Sequence, residues 1–262
     1  DSAIIPYLLS HGVSLKDARN YCIPACVTWG LPGKVTKGRI VNSGTIALGK
    51  CLEIALNQGK DPRNGKQLGY PTPDPLTFTS IDDVMEAYLK QLNFSIDKIT
   101  RISNVAQAIY VKYGAMPFTS AFEDNCIDKG MDLTTFREDY PYGQILCAGN
   151  TNVADSLAAI KKLVFEERTI TMQELLDAMK DNFEGHEELR QKLLSAPKFG
   201  NDDDYVDNIM REVMHRSQQE AEKFTDLWGN PWSFDGSIAA GYYALGMRTG
   251  ALPDGKRYKD SY

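Results

Sequence analysis

Residues 21–34 read YCIPACVTWGLPGK, and the interpretation of this short stretch decides the fold. Pro24 and Ala25 come directly before Cys26, and Gly30, Pro32 and Gly33 follow it. Helix and extended sheet do not run easily through such a segment, because proline fixes φ and removes a donor while glycine favours no single conformation. The stretch predicts a constrained turn with Cys26 at its tip, and rigid scaffolds display reactive groups on such tips. The competing reading is an inert packed thiol, the usual state of a cysteine in apolar surroundings.

Two other roles for the thiol are disfavoured by what surrounds it. The five cysteines (Cys22, Cys26, Cys51, Cys126, Cys147) are odd in number and irregular in spacing, unlike a secreted disulfide framework, so reduced thiols in a cytoplasm are expected. The three histidines, His11, His186 and His215, lie far from Cys22 and Cys26 in sequence, which leaves the CxxxC pair a weak metal signal. A nucleophilic thiol needs a base or a depressed pKa. The nearest cations are Lys34, Lys37 and Arg39, so a Cys–His acyl-transfer site requires His186 or His215 to approach in space. One-electron chemistry, in which the thiol exchanges a hydrogen atom, is a further class that composition alone does not suggest.

The bulk composition narrows the partners. The chain has 262 residues, 42% of them apolar, enough for a substantial core. A net charge of −6 and a pI near 5.2 argue against a nucleic-acid backbone as partner, which calls for a basic face. No apolar run approaches a membrane span, and the first residues do not resemble a signal peptide. Both ends read as the interior of a larger fold, which suggests a fragment.

Further along, residues 43–58 are expected to form a helix closed by Gly59, and residues 60–76, dense in Gly, Pro, Asp and Asn, a loop. A long helix is expected from Ser80 to about Tyr113, with Asp82 and Asp83 in its first turn. More helices are expected over residues 150–165, from Ile170, from His186 and over Tyr205–Phe224. Short buried strands are expected at Tyr21–Val27, Gly143–Ala148 and Ser237–Leu245. This is an α/β pattern dominated by helix, with no repeat or interdomain linker. Asp202 to Asp204 lack calcium-loop spacing and are expected to cap a helix. Trp228, Trp232 and Phe234 read as a core or subunit-contact patch, and Cys22 and Cys51 as buried hydrophobes.

The run DARNYCIPACVTWGLPGK resembles the cysteine loop of glycyl radical enzymes, the group that includes pyruvate formate-lyase, B12-independent diol dehydratases, choline trimethylamine-lyase, arylacetate decarboxylases and benzylsuccinate synthase. CLEIALNQGKDPRNGKQLG at 51–69, the stretch at 152–185, LRQKLLSAPKFGNDDDYVD at 189–207 and TGALPDGKR at 249–257 agree in order. The resemblance spans essentially the whole chain. It implies a ten-stranded α/β barrel, of which residues 1–262 form the helix-rich second half as part of one domain, with the cysteine on a finger loop at 21–34. It also implies that Cys26 becomes a thiyl radical that takes hydrogen from a small organic substrate. The glycine that stores the radical falls outside this chain, since no RVxGY-like segment is present and KRYKDSY stands where R-x-A-G-E-P-L is common. No cofactor is then bound directly. The radical is installed by a radical-SAM iron–sulfur activating enzyme, and the other implied partner is a like subunit in a homodimer.

Departures from the family pattern point to a subclass. Ala25 stands where pyruvate formate-lyase-like members carry an adjacent cysteine, which disfavours that acyl transfer. Thr28 stands where dehydratases, amine lyases and arylacetate decarboxylases typically place a glutamate. A threonine hydroxyl hydrogen-bonds but does not exchange a proton near neutral pH. The favoured expectation is therefore radical addition of a hydrocarbon or aryl substrate to fumarate, with Trp29 beside the cysteine suited to an apolar substrate. The alternatives are an eliminating lyase (dehydratase or amine lyase) or a decarboxylase with its acid–base group elsewhere, or a non-catalytic homologue or scaffold piece. Thr28, Trp29, Arg39 and Gln144 are the expected substrate contacts. Arg39 has a carboxylate-binding fork to weigh against a solvated role, and Gln144 a pocket position to weigh against strand-end bonding.

Overall fold

The computed structural model describes residues 2–23, 29–32, 34–36, 44–135, 143–236 and 241–262. In chain order the elements are α1 (Ile4–Ser10), α2 (Leu15–Ala18), β1 (Gly30–Leu31), β2 (Val35–Thr36), β3 (Thr45–Ala47), α3 (Leu48–Ala55), α4 (Ile81–Tyr113), α5 (Pro117–Ser120) and α6 (Asp124–Lys129). Then come β4 (Gly143–Ala148), α7 (Asn150–Ala159), α8 (Met172–Lys180), α9 (Glu187–Ser195), α10 (Asp204–Ala221), β5 (Trp232–Gly236) and α11 (Gly241–Gly246). Strands β1 and β2 pair antiparallel, while β3, β4 and β5 form a sheet in that order, with β3 parallel to β4. No helix among the described residues is long and apolar enough to cross a membrane.

Local chemistry sets the helix starts. Asp83 Oδ2 accepts from the N–H groups of Thr79 at 2.7 Å and Ser80 at 3.1 Å and from the Thr79 hydroxyl, closing the N-terminus of α4 with a negative charge. Thr171 and Glu174 form a reciprocal capping box on α8. Asp203 accepts from the Tyr205 N–H at 3.0 Å and caps α10, as the acidic run predicts. Helix α7 continues as a π-helix over Ile160–Glu166. Lys161 pairs with Glu166 and Lys162 with Glu167, the five-residue spacing that a π turn places side by side.

The chain divides into two compact units. One comprises residues 45–98, 146–221 and 234–262. In it α7 packs on α10 and α3, and Leu52, Tyr88, Leu92, Leu157 and Val213 are fully buried. Asn93 of α4 donates to Glu220 of α10 at 2.7 Å. The other unit comprises residues 1–44, 99–145 and 222–233. Its clusters are Leu8, Val13, Ala18, Trp29 and Leu31, and separately Cys126 with Leu133 and Met116. Asp132 organises the second cluster, accepting from the N–H of Met116 and from the N–H and hydroxyl of Thr134 and the hydroxyl of Ser120.

Two sequence expectations are corrected, and a third falls largely outside the described residues. The helix expected from residue 43 begins only at Leu48, because Thr45–Ala47 pair with Leu146–Ala148 as a parallel strand, a role suited to β-branched Thr45 and Ile46. Of the strand expected over Ser237–Leu245, residues 237–240 lie outside the described part and Gly241–Leu245 belong to α11, while the strand of this region lies at Trp232–Gly236. Of the strand expected over Tyr21–Val27, Cys22 makes an isolated bridge and residues 24–27 lie outside the described part.

Candidate active site

The frame of the cysteine loop is described on both sides. Cys22 and Gly30 exchange both backbone hydrogen bonds, each 2.9 Å, so residues 23–29 leave and return through one closed pair. Gly30 also faces Thr36 across the β1–β2 hairpin, whose turn is closed by the Lys34 N–H on the Leu31 carbonyl. Below this pair Trp29 and Leu31 enter the apolar cluster, where the Trp29 ring meets the edge of Tyr7 at 6.3 Å between centroids. The Lys34 ammonium lies 3.0 Å from Asp17, which also accepts from the hydroxyl of Ser14, the N-cap of α2. The stem is thus anchored by burial and by an ion pair to α2.

The expected site residues fall into two groups. Cys26, Thr28 and Arg39 lie outside the described residues. Trp29 packs in the stem cluster and Gln144 is 3% exposed, on the second residue of β4. Its neighbour Gly143 lies against the fully buried Trp232: a Cβ at residue 143 would come 2.3 Å from that ring. The Gly143 carbonyl accepts from the Ser233 hydroxyl at 3.0 Å. Trp232 and Phe234 are buried, as expected for a core patch.

The other thiols divide differently from expectation. Cys51 is buried, and burial pushes its thiol up to about 11 despite a contact with the Ser95 hydroxyl. Burial also pushes the Cys147 thiol up strongly. Both stay protonated and unreactive near neutral pH. Cys22, expected to be buried, is exposed at the isolated bridge, where its thiol donates to the Gly30 carbonyl at 3.6 Å beside the two backbone hydrogen bonds. Each histidine has a local contact: His11 with the Tyr7 ring, His186 with Asp181 at 3.2 Å and His215 with Gln219 at 3.0 Å.

One constellation was missed from the sequence. Parallel strands β3 and β4 run directly into α3 and α7, and ligands of α/β sheets gather at such carboxyl ends. Tyr262 fills this place. Its hydroxyl accepts from the Lys50 N–H at 3.2 Å, in the first turn of α3, and shares a 2.5 Å hydrogen bond with Thr249. The ring fits only because Gly49 and Gly149 lack side chains; a Cβ at these positions would come within 2.7 Å and 3.1 Å of it. The signal lay in the repeated pattern of a short apolar run followed by glycine, TIALGK and ILCAGN.

Comparison with known proteins gives one answer. The chain is 34% identical over 255 residues to trans-4-hydroxy-L-proline dehydratase of Clostridioides difficile, covering 97% of this chain and 32% of that protein. It is 35% identical over 217 residues to isethionate sulfite-lyase of Oleidesulfovibrio alaskensis, covering 81% of this chain and 26% of that one. The fold matches the glycerol-bound B12-independent glycerol dehydratase of Clostridium butyricum with a TM-score of 0.90 and 33% identity, over 99% of this chain and 33% of that structure. The chain therefore spans about a third of the length of these relatives, and its fold is the corresponding part of a glycyl radical enzyme α/β barrel. The family description "Pyruvate formate lyase-like" matches residues 1–237, and the chain belongs to this family.

Proposed function

We propose that the protein containing this chain is a glycyl radical lyase that eliminates a small leaving group from a hydroxylated substrate, with Cys26 as the hydrogen-abstracting residue. The supporting observation is the run of 34–35% identity to a dehydratase and a sulfite-lyase, which act on C–O and C–S bonds. These relatives favour elimination over the fumarate addition that Thr28 suggested, and the eliminating alternative becomes the leading reading.

The chemistry balances without an external oxidant. As the S–H bond forms, the C–H bond of a hydroxyl-bearing carbon breaks. The group on the neighbouring carbon then leaves with its bonding electrons as water or sulfite, taking up the proton of the substrate hydroxyl. Return of the thiol hydrogen to the carbon radical gives a carbonyl product and restores the cysteine radical. The odd electron comes from a glycine outside residues 1–262, installed by a radical-SAM iron–sulfur activating enzyme. With Thr28 beside the cysteine, the group that carries the proton comes from elsewhere in the full-length protein. The closed Cys22–Gly30 pair fixes where the segment carrying Cys26 leaves and rejoins the described structure. Gln144 and Arg39 are assigned to the substrate's polar groups, and Trp29 to the packing that fixes the loop. A cytoplasmic setting and a like subunit complete the reading.

Anaerobic activation of the full-length protein, followed by electron paramagnetic resonance, is the test. A glycyl doublet is expected, and Cys26→Ala should keep it while losing turnover. Incubation with isethionate or a 1,2-diol should release sulfite or water. Product formed only with fumarate would restore the addition reading, and full turnover by Cys26→Ala would overturn the role of the cysteine.

A further inference from the structure

Glu53 is a buried carboxylate that is only half matched. It lies on α3 and is 1% exposed. The Lys50 ammonium stands 2.8 Å from its Oε2, but Oε1 is buried with no hydrogen-bond partner among the described residues. Leaving an oxygen of a buried charged group unbonded is costly, so the fold retains it against a penalty.

That oxygen borders a cleft. Glu53 and Gly250 both line a cavity of 460 Å³, within the range of small-molecule sites, about 300–1,000 Å³. Its described lining residues all belong to the unit made of residues 45–98, 146–221 and 234–262. A Cβ at residue 250 would come 2.7 Å from Oε1, so the glycine leaves room in front of this oxygen. Leu56, Met179 and Ala251 are buried in the lining, and half-buried Leu176 and the Tyr258 ring extend the apolar wall towards solvent. A water takes about 30 Å³ of liquid volume, so one water bonds the oxygen without filling the cleft.

Charge decides what fits. Lys50 also lies 3.7 Å from Asp61, and Arg63 bonds Asp61 through Nε and Nη2, each at 3.2 Å. The carboxylates of Glu53 and Asp61 are thus matched by two cations. A further cation meets repulsion from Lys50 and Arg63, and an anion meets Glu53 itself. An uncharged donor bonds Oε1 without disturbing this balance. We propose that the cleft binds a small uncharged ligand, an apolar body that donates one hydrogen bond, from a hydroxyl or amide, to Glu53 Oε1.

Ligand-detected NMR titrations of the intact full-length protein test this, with benzyl alcohol as probe and toluene and benzylammonium as controls. Benzyl alcohol should bind at least about tenfold more tightly than either, since toluene leaves Oε1 unbonded and benzylammonium adds a charge. Gly250→Ala places a methyl in front of Oε1, and Leu176→Trp narrows the cleft from its outer wall. Each should weaken benzyl alcohol binding at least about tenfold. If neither variant folds, a crystal structure of the wild-type complex decides. A probe hydroxyl about 2.7 Å from Glu53 Oε1 supports the site, and a probe bound elsewhere overturns it. The proposal is equally overturned by no saturable binding, by either control binding as tightly, or by folded variants that bind unchanged. None of these readouts involves turnover, so the glycyl radical reading stands or falls separately.

Discussion

The front of α4, residues 81–98, and its back, residues 99–113, carry apolar residues at the same helical spacing and place them in opposite surroundings. Val84, Tyr88, Leu92 and Ile96 are fully buried, whereas Ile102, Val105 and Ile109 face outward over a buried row of Thr100, Ser103 and Gln107. The periodicity of a helix shows that one face is meant to be covered. It does not show whether the covering side chains belong to the same stretch of chain.

Four measurements probe this contrast, the largest effect first. Lys50 lies 2.8 Å from Glu53 and 3.7 Å from Asp61, both nearly inaccessible carboxylates in the unit that holds the front of α4. Lys50→Met leaves both charges without that cation and should cost about 3–5 kcal/mol in urea unfolding. Leu92→Ala, on the buried front, should cost about 2–5 kcal/mol. The matching change Ile109→Ala, on the bare back, should cost less than about 0.5 kcal/mol if nothing covers it. A loss close to that of Leu92→Ala in the full-length protein would erase the contrast and mark the back as covered. Gly143→Ala forces a methyl into Trp232 and should cost about 1–3 kcal/mol through overpacking.

A further effect concerns pH. Burial pushes the Asp132 carboxyl up, but the Thr134 N–H and hydroxyl, the Ser120 hydroxyl and the Met116 N–H outweigh it and hold it below the usual range. A lowered folded pKa stabilises above the unfolded value of about 3.9 and loses that contribution as the pH falls through the folded one. Asp132→Asn should cost about 1–2 kcal/mol at neutral pH and should flatten this part of the acid side of the stability profile. An unchanged acid limb would remove Asp132 from the account of how the cluster of Cys126, Leu133 and Met116 is held together.

Much of this fold was legible wherever one signal acted alone. The start of α4 was marked by acidic residues after Thr79 and Ser80, and β4 by a short apolar run, Gly143–Ala148, bounded by glycines. The strand at Thr45–Ala47 was missed because three residues cannot show a period, and the apolar spacing of α3 continues through them. Cys22 looked like a core residue by type, yet it stands exposed at the isolated bridge to Gly30. The part of the candidate site within the described residues, Trp29 and Gln144, could be placed among its neighbours. Tyr262 could not have been found by local reading, since its partners Lys50 and Gly149 lie more than a hundred residues away along the chain.

The closed pair between Cys22 and Gly30 also bears on how such a protein diversifies. Both of its hydrogen bonds are made by main-chain atoms, so the latch is indifferent to the side chains it encloses. A change of sequence between Cys22 and Gly30 therefore need not touch the two main-chain hydrogen bonds that close the pair. A scaffold built this way lets new reactions be tried at the tip without first refolding the frame.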